Sequence, residues 1–149
     1  MNPADCYHTG LVVDDMAAAA ERLTAVMGYR WTKPVEAMLS VRTADGDVEV
    51  PFRFVYSVDA PHLELIQEVP GTIWAAPPGG AAHHLGYWVD DLAAAAAELE
   101  RTGYRLEARP SGDALTTFAY YTDPGGVRIE IVDRALFPDW PGFLKSMAA

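Results

Sequence analysis

Cysteine is almost absent, since Cys6 is the only one in 149 residues. One thiol excludes an intrachain disulfide and a cysteine-rich zinc cluster, and it suits a reducing cytoplasm. Positive charge is scarce too. Eleven Lys and Arg stand against 21 Asp and Glu, a formal net charge of -10, so neither nucleic acid nor an anionic membrane surface is an expected partner. No apolar run approaches the roughly 20 residues of a membrane span. The opening from Met1 to Asp5 carries neither the basic nor the apolar part of a signal peptide. The expectation is a soluble cytoplasmic protein whose residues 1–149 form one well-buried domain or two small modules sharing a core.

What the chain does have is a repeat. The stretch His8-Thr-Gly-Leu-Val-Val-Asp-Asp-Met-Ala-Ala-Ala-Ala returns as His84-Leu-Gly-Tyr-Trp-Val-Asp-Asp-Leu-Ala-Ala-Ala-Ala, identical at 9 of 13 positions. Each copy later reaches Gly-Tyr-Arg, at Gly28 to Arg30 and at Gly103 to Arg105. The chain therefore reads as a duplicated module, and the alignment places His84, not His83, opposite His8.

The first module spans 6–69. Cys6 to Val13 reads as a strand, and Asp14 or Asp15 can cap the helix that follows. Met16, Ala19, Ala20, Leu23, Val26 and Met27 recur at helical spacing, and Gly28 suits the left-handed position after a helix. An extended stretch runs from Tyr29 to Arg42 with a break near Pro34. A turn at 44–47 and strands at 48–58 and 63–69 complete the module. Pro70, Gly71, Pro77, Pro78, Gly79 and Gly80 mark 70–80 as a linker, with Trp74 as an anchor. The second module, 81–133, repeats the order: strand 82–89, helix 91–102, strands 104–109 and 115–122, a turn at Asp123 to Gly126, and strand 127–132. The tail at 134–149 reads as an aromatic clasp around Phe137, Trp140 and Phe143, closing the core or covering a site or dimer edge.

Strand side chains alternate between faces. Glu64 lies between Leu63 and Leu65, and Glu130 between Ile129 and Ile131, so apolar neighbours that pack on the helices leave both carboxylates on the other face. The same parity puts His84, Gly86 and Trp88 together, with His8, Gly10 and Val12 as their counterparts. Two curved half-barrels side by side would aim two histidines and two glutamates into one cup. His62 and His83 are read as structural, and Cys6 as buried filler and not a ligand.

The paired strand-helix-three-strand modules, the His-x-Gly-x-x-Val-Asp-Asp openings, the Leu-Glu-Leu at 63–65 and the Asp-Pro-Gly-Gly-Val-Arg-Ile-Glu-Ile at 123–131 resemble the vicinal oxygen chelate superfamily, the glyoxalase, bleomycin-resistance and dioxygenase fold. The resemblance covers roughly residues 6 to 133. It implies an α+β fold in which two tandem βαβββ modules form a cupped, barrel-like mixed sheet with helices outside. It also implies a metal site at His8, Glu64, His84 and Glu130, and a homodimer. The opening is most similar to the branch of methylmalonyl-CoA epimerase, which has Gln where Glu64 stands. Glyoxalase I has Glu there, but its segment after the first helix is not matched.

Two imidazoles and two carboxylates suit Zn, Ni, Co, Fe or Mn. Such a site fits an isomerase, epimerase or lyase that acts on a small substrate with adjacent oxygens through a metal-stabilised enediolate or enolate. Glu130 is the first candidate for the general base and Glu64 the second. Trp88 shares the face of His84. The third strand adds either Phe52, Phe54 and Tyr56 or else Arg53 and Val55, according to its register, and Arg42, Arg53 and Arg128 are candidates for holding a carboxylate or phosphate. Two other classes compete: a metal-free antibiotic-binding protein, which generally lacks the four ligands, and an Fe(II) dioxygenase, which needs two histidines and one carboxylate with open positions.

Overall fold

A computed structural model describes residues 1–149. Its elements are β1 (Cys6–Val13), α1 (Met16–Met27), β2 (Val35–Thr43), β3 (Gly46–Tyr56), β4 (Leu63–Gln67), β5 (His84–Val89), α2 (Leu92–Arg101), β6 (Arg105–Pro110), β7 (Phe118–Thr122), β8 (Arg128–Asp133) and α3 (Trp140–Met147). The strands pair in two runs, β1-β4-β3 and β2-β6-β7-β8-β5. The sheet is mixed. β1 runs parallel to β4 and β5 parallel to β8, while the β3–β4, β2–β6, β6–β7 and β7–β8 pairs are antiparallel. This is the α+β architecture that the resemblance implies. Cys6, expected to be buried, is exposed at the start of β1.

The second aspartate of each Asp-Asp pair starts a helix. Asp15 accepts the Ala18 N–H at 3.0 Å, and Asp91 accepts the Ala94 N–H at 2.9 Å. Each bond satisfies a first-turn amide that has no partner inside the helix. Gly28 ends α1 at φ 78°, a left-handed conformation that costs glycine little.

The chain divides into two compact units. One comprises Met1–Tyr7, Met38–Val50 and His84–Leu136, so it takes the β2–β3 hairpin tip along with the second repeat. Its core lies between α2 and the sheet, where Leu92, Ala96 and Leu99 pack on Val89, Ala119, Tyr121, Ile129 and Ile131. Burying each large side chain there contributes about 1.5–3 kcal/mol. Alternation then turns His84, Gly86 and Trp88, and likewise Glu130, away from α2.

The other unit comprises His8–Ala37, Pro51–His83 and Phe137–Ala149. Met16 and Ala19 of α1 pack on Val55 and Leu65, with Leu11, Val13, Leu23 and Trp31 around them. The residues after β4 are anchored as expected: Trp74 is buried, and its carbonyl accepts the Val69 N–H at 2.8 Å. His83 is buried as well, with Nε2 2.6 Å from the Ile73 carbonyl, a structural role.

The tail is more regular than its sequence suggests. Residues Trp140–Met147 form a helix despite Pro141 and Gly142, because Pro141 sits in the first turn, where no amide is needed. Asp139 caps it by accepting the Gly142 N–H at 3.0 Å. Leu144 is buried, Trp140 lies edge-on to Tyr56 at 4.9 Å, and the Ala149 N–H donates to the Trp31 carbonyl at 3.0 Å. The clasp closes on its own unit.

Candidate metal centre

Each unit holds the same three-strand arrangement. In one, β1 brings His8 and Gly10, β4 brings Glu64 in register with Gly10, and β3 brings Tyr56 in register with Glu64. In the other, β5 brings His84 and Gly86, β8 brings Glu130 in register with Gly86, and β7 brings Tyr120 in register with Glu130. A histidine, a carboxylate and a tyrosine thus face one way on three neighbouring strands, twice.

The distances repeat as closely as the registers. His8 Nε2 stands 3.3 Å from Glu64 Oε2, and His84 Nε2 stands 3.4 Å from Glu130 Oε2. Tyr56 meets His8 edge-on with ring centres 5.6 Å apart, and Tyr120 meets His84 in the same way at 5.1 Å. All four candidate ligands are buried: 2% exposed for each histidine, 3% for Glu64 and 8% for Glu130. Carboxylates are rarely buried this deeply unless something compensates their charge, and the adjacent imidazole is the first compensation present.

Residues 7–121 match the Glyoxalase/Bleomycin resistance protein/Dioxygenase superfamily. The chain belongs to that superfamily. Among solved structures it is similar to a methylmalonyl-CoA epimerase in complex with methylmalonyl-CoA and NH4+, with 19% identity, a TM-score of 0.60, and 87% of this chain and 93% of that one covered. A variant of the Streptomyces coelicolor methylmalonyl-CoA epimerase in complex with 2-nitronate-propionyl-CoA gives 19% identity and a TM-score of 0.60, over 87% of this chain and 96% of that one. The methylmalonyl-CoA epimerase of Mycobacterium tuberculosis gives 22% and 0.54, over 87% of each chain. At these identities the likeness is one of fold. A search of curated proteins found no match. Members of the superfamily commonly use a divalent metal, and each unit offers one buried histidine-carboxylate pair, His8 with Glu64 and His84 with Glu130, of the ligand types that a metal accepts.

The remaining superfamily-type positions separate by strand face. Phe54 and Tyr56 belong to one aromatic row with Phe52, at ring separations of 5.3 Å, on the face that Tyr56 shares with His8. Arg53 lies on the opposite face with Val55, which packs against α1. Its Nε donates to Glu36 at 2.7 Å on a half-exposed surface, so the register of β3 leaves Arg53 away from the His8 side. Trp88 follows the parity of His84 and stacks on Tyr7 at 3.5 Å. Tyr120 was not singled out from the sequence. Aligning the third strand of each repeat would have found it, because it occupies the place of Tyr56.

No helix is long and apolar enough to cross a membrane.

Proposed function

We propose that this protein is a metal-dependent proton-transfer enzyme, an isomerase, epimerase or lyase acting on a small substrate that carries two adjacent oxygens. The observation that supports this reading most is the twofold recurrence of a buried histidine-carboxylate pair, at 3.3 and 3.4 Å, on corresponding strands of the two repeats. Two imidazole nitrogens and two carboxylates are a donor set that divalent first-row metals accept. His8, Glu64, His84 and Glu130 would hold the ion. Once bound, it would supply positive charge against the negative charge that develops on a substrate oxygen when the neighbouring carbon loses a proton.

The protein's own groups do the rest. Glu130 is the proposed base: its burial keeps bulk water from competing for the proton, and a carboxylate released from the ion can accept a proton from a carbon made acidic by its neighbouring oxygens. Glu64 is the second candidate. Tyr56, Phe54 and Trp88 give the substrate an apolar, aromatic wall. Returning the proton to the same carbon from the other side gives epimerisation, and returning it to the adjacent carbon gives isomerisation.

Methylmalonyl-CoA epimerases are among the similar solved structures, which makes methylmalonyl-CoA the first substrate to try, although Glu64 departs from that branch. A homodimer belongs to the same proposal. It rests on the apolar end of α1, where Val26 and Met27 are 80% and 66% exposed, since the aromatic tail is occupied within its own chain.

The test pairs elemental analysis of protein purified without added metal with NMR in deuterium oxide. Methylmalonyl-CoA and a small 2-hydroxy ketone would serve as carbon acids. Stoichiometric metal and metal-dependent deuterium uptake into either compound are expected. Protein that neither contains metal nor takes it up would refute the proposal.

A further inference from the structure

Arg128 stands two residues before Glu130 on β8, on the same face of the strand. Ile129 and Ile131 pack under α2, which turns Arg128 and Glu130 to the other side, about 6.6 Å apart along the strand. Its partner is Glu107 of β6: Nε donates to Oε2 at 2.5 Å, and Nη2 lies 3.5 Å from Oε1, a planar carboxylate seated across the guanidinium fork. The setting differs from that of the chain's surface arginines. Arg30, Arg42, Arg53, Arg101 and Arg134 form ion pairs with their own side chains 40–71% exposed, whereas Arg128 is 23% and Glu107 16% exposed.

A second polar group converges on the same place. Thr122 is in register with Arg128 across the β7–β8 ladder, and its hydroxyl is buried without a hydrogen-bond partner. Cross-strand neighbours of this kind bring their Cβ atoms within about 4.5–5.5 Å. A fork-shaped cation with a carboxylate already docked on it, and an unengaged hydroxyl on the neighbouring strand, make a seat whose occupant is known in kind. We propose that Arg128, with Thr122, receives a carboxylate group of the substrate, and that Glu107 holds the seat in its absence and is exchanged for it.

The inference deepens the proton-transfer reading by naming the substrate class. The substrate would be a carboxylic acid whose carboxylate is joined by a short carbon chain to the pair of adjacent oxygens, since Arg128 and Glu130 stand two residues apart on one face of β8. Arginine suits the task, because its planar fork selects a planar two-oxygen anion and its charge is not lost at any working pH.

The probes are 2-oxoglutarate and 2-oxopentanoate, which share the adjacent oxygens and differ in the distal carboxylate. Their dissociation constants would be measured by calorimetry on the metal-supplemented full chain, as wild type, Glu107→Gln, and the double variant Glu107→Gln with Arg128→Gln. Removing the resident carboxylate should raise the preference of Glu107→Gln for 2-oxoglutarate at least tenfold over that of the double variant. The double variant replaces the ion pair by two amides that can still bond each other, and its thermal unfolding checks that it folds. Equal preference in the two variants would overturn the proposal. Metal content is measured on the same samples. A metal-free protein that still discriminates through Arg128 would keep this inference and sink the proton-transfer reading, and a metal-loaded protein without discrimination would do the reverse.

Discussion

Replacing Glu130 by Gln in one variant and Glu64 by Gln in another separates holding a metal from moving a proton. The two carboxylates have near-equal settings, 3.4 and 3.3 Å from their histidines and 8% and 3% exposed. Both variants should therefore lose metal affinity to a similar degree. A cation at about a hundred times its dissociation constant stabilises the folded state by ~2.7 kcal/mol. In a chain of this size ~1 kcal/mol moves the melting temperature by about 2–4 °C, so saturating the wild type should raise it by roughly 5–11 °C. A hundredfold loss of affinity at the same metal concentration leaves only ~0.4 kcal/mol, a shift of about 1–2 °C. Differential scanning fluorimetry with and without metal reads this directly. Deuterium uptake into substrate then divides the two variants. A general base is worth about 10²–10⁴-fold, so Glu130→Gln should stay that far below wild type at saturating metal, while Glu64→Gln recovers to within about tenfold. An undiminished metal-induced shift in both variants would refute the four-ligand reading. Equal recovery of exchange by added metal would remove Glu130 as the base.

Two further expectations test other parts of the fold. Leu144→Ala should cost about 2–5 kcal/mol in urea unfolding, the range for truncating a buried leucine, because Leu144 is 3% exposed; a loss below ~1 kcal/mol would mean that α3 is not packed as described. Burial, and then the hydrogen bond its hydroxyl donates to Glu100 at 2.9 Å, hold the Tyr121 phenol far above its ordinary value of 10.0. Once the pH passes 10 the unfolded chain ionises this group and the folded chain does not. Its contribution to stability is complete below pH 10 and is lost as the pH rises toward the folded value. Tyr121→Phe should therefore remove part of the alkaline decline between pH 9 and 11, and an unchanged slope would count against the assignment.

The most legible parts of the fold were those where one local rule decides. Asp15 and Asp91 start their helices because a carboxylate can accept an otherwise unsatisfied amide, and β1 runs from Cys6 to Val13 as its pattern implies. The inward turn of His84 and Glu130 followed from alternation alone, given helix-facing Ile129 and Ile131. Repetition did the work of choosing His84 over His83. Where the signal failed, two rules competed. Pro141 and Gly142 hide α3, because both are helix breakers in an interior and harmless in a first turn. The face of β3 could not be chosen between Phe54 and Arg53 by composition, since Val48 to Tyr56 is apolar on both sides in part; packing of Val55 on α1 decides it. The strand expected at 115–122 begins only at Phe118, after Thr117 takes a left-handed φ of 62°, which no residue type at that position announces.

The pairing of β2 with β6, Val41 opposite Pro110 and Thr43 opposite Ala108, bears on how such a chain can be divided or could have arisen. β6 belongs to the second repeat and its cover comes from the first. Cut at residue 80, the second fragment would present the backbone donors and acceptors of Ala108 to Pro110 as an open edge, the kind of surface that recruits any available strand. An ancestral single repeat would have faced the same exposure, and pairing with another copy of itself was the available remedy. Duplication into one polypeptide makes that neighbour permanent, so the partner strand is always present at the concentration set by its own tether.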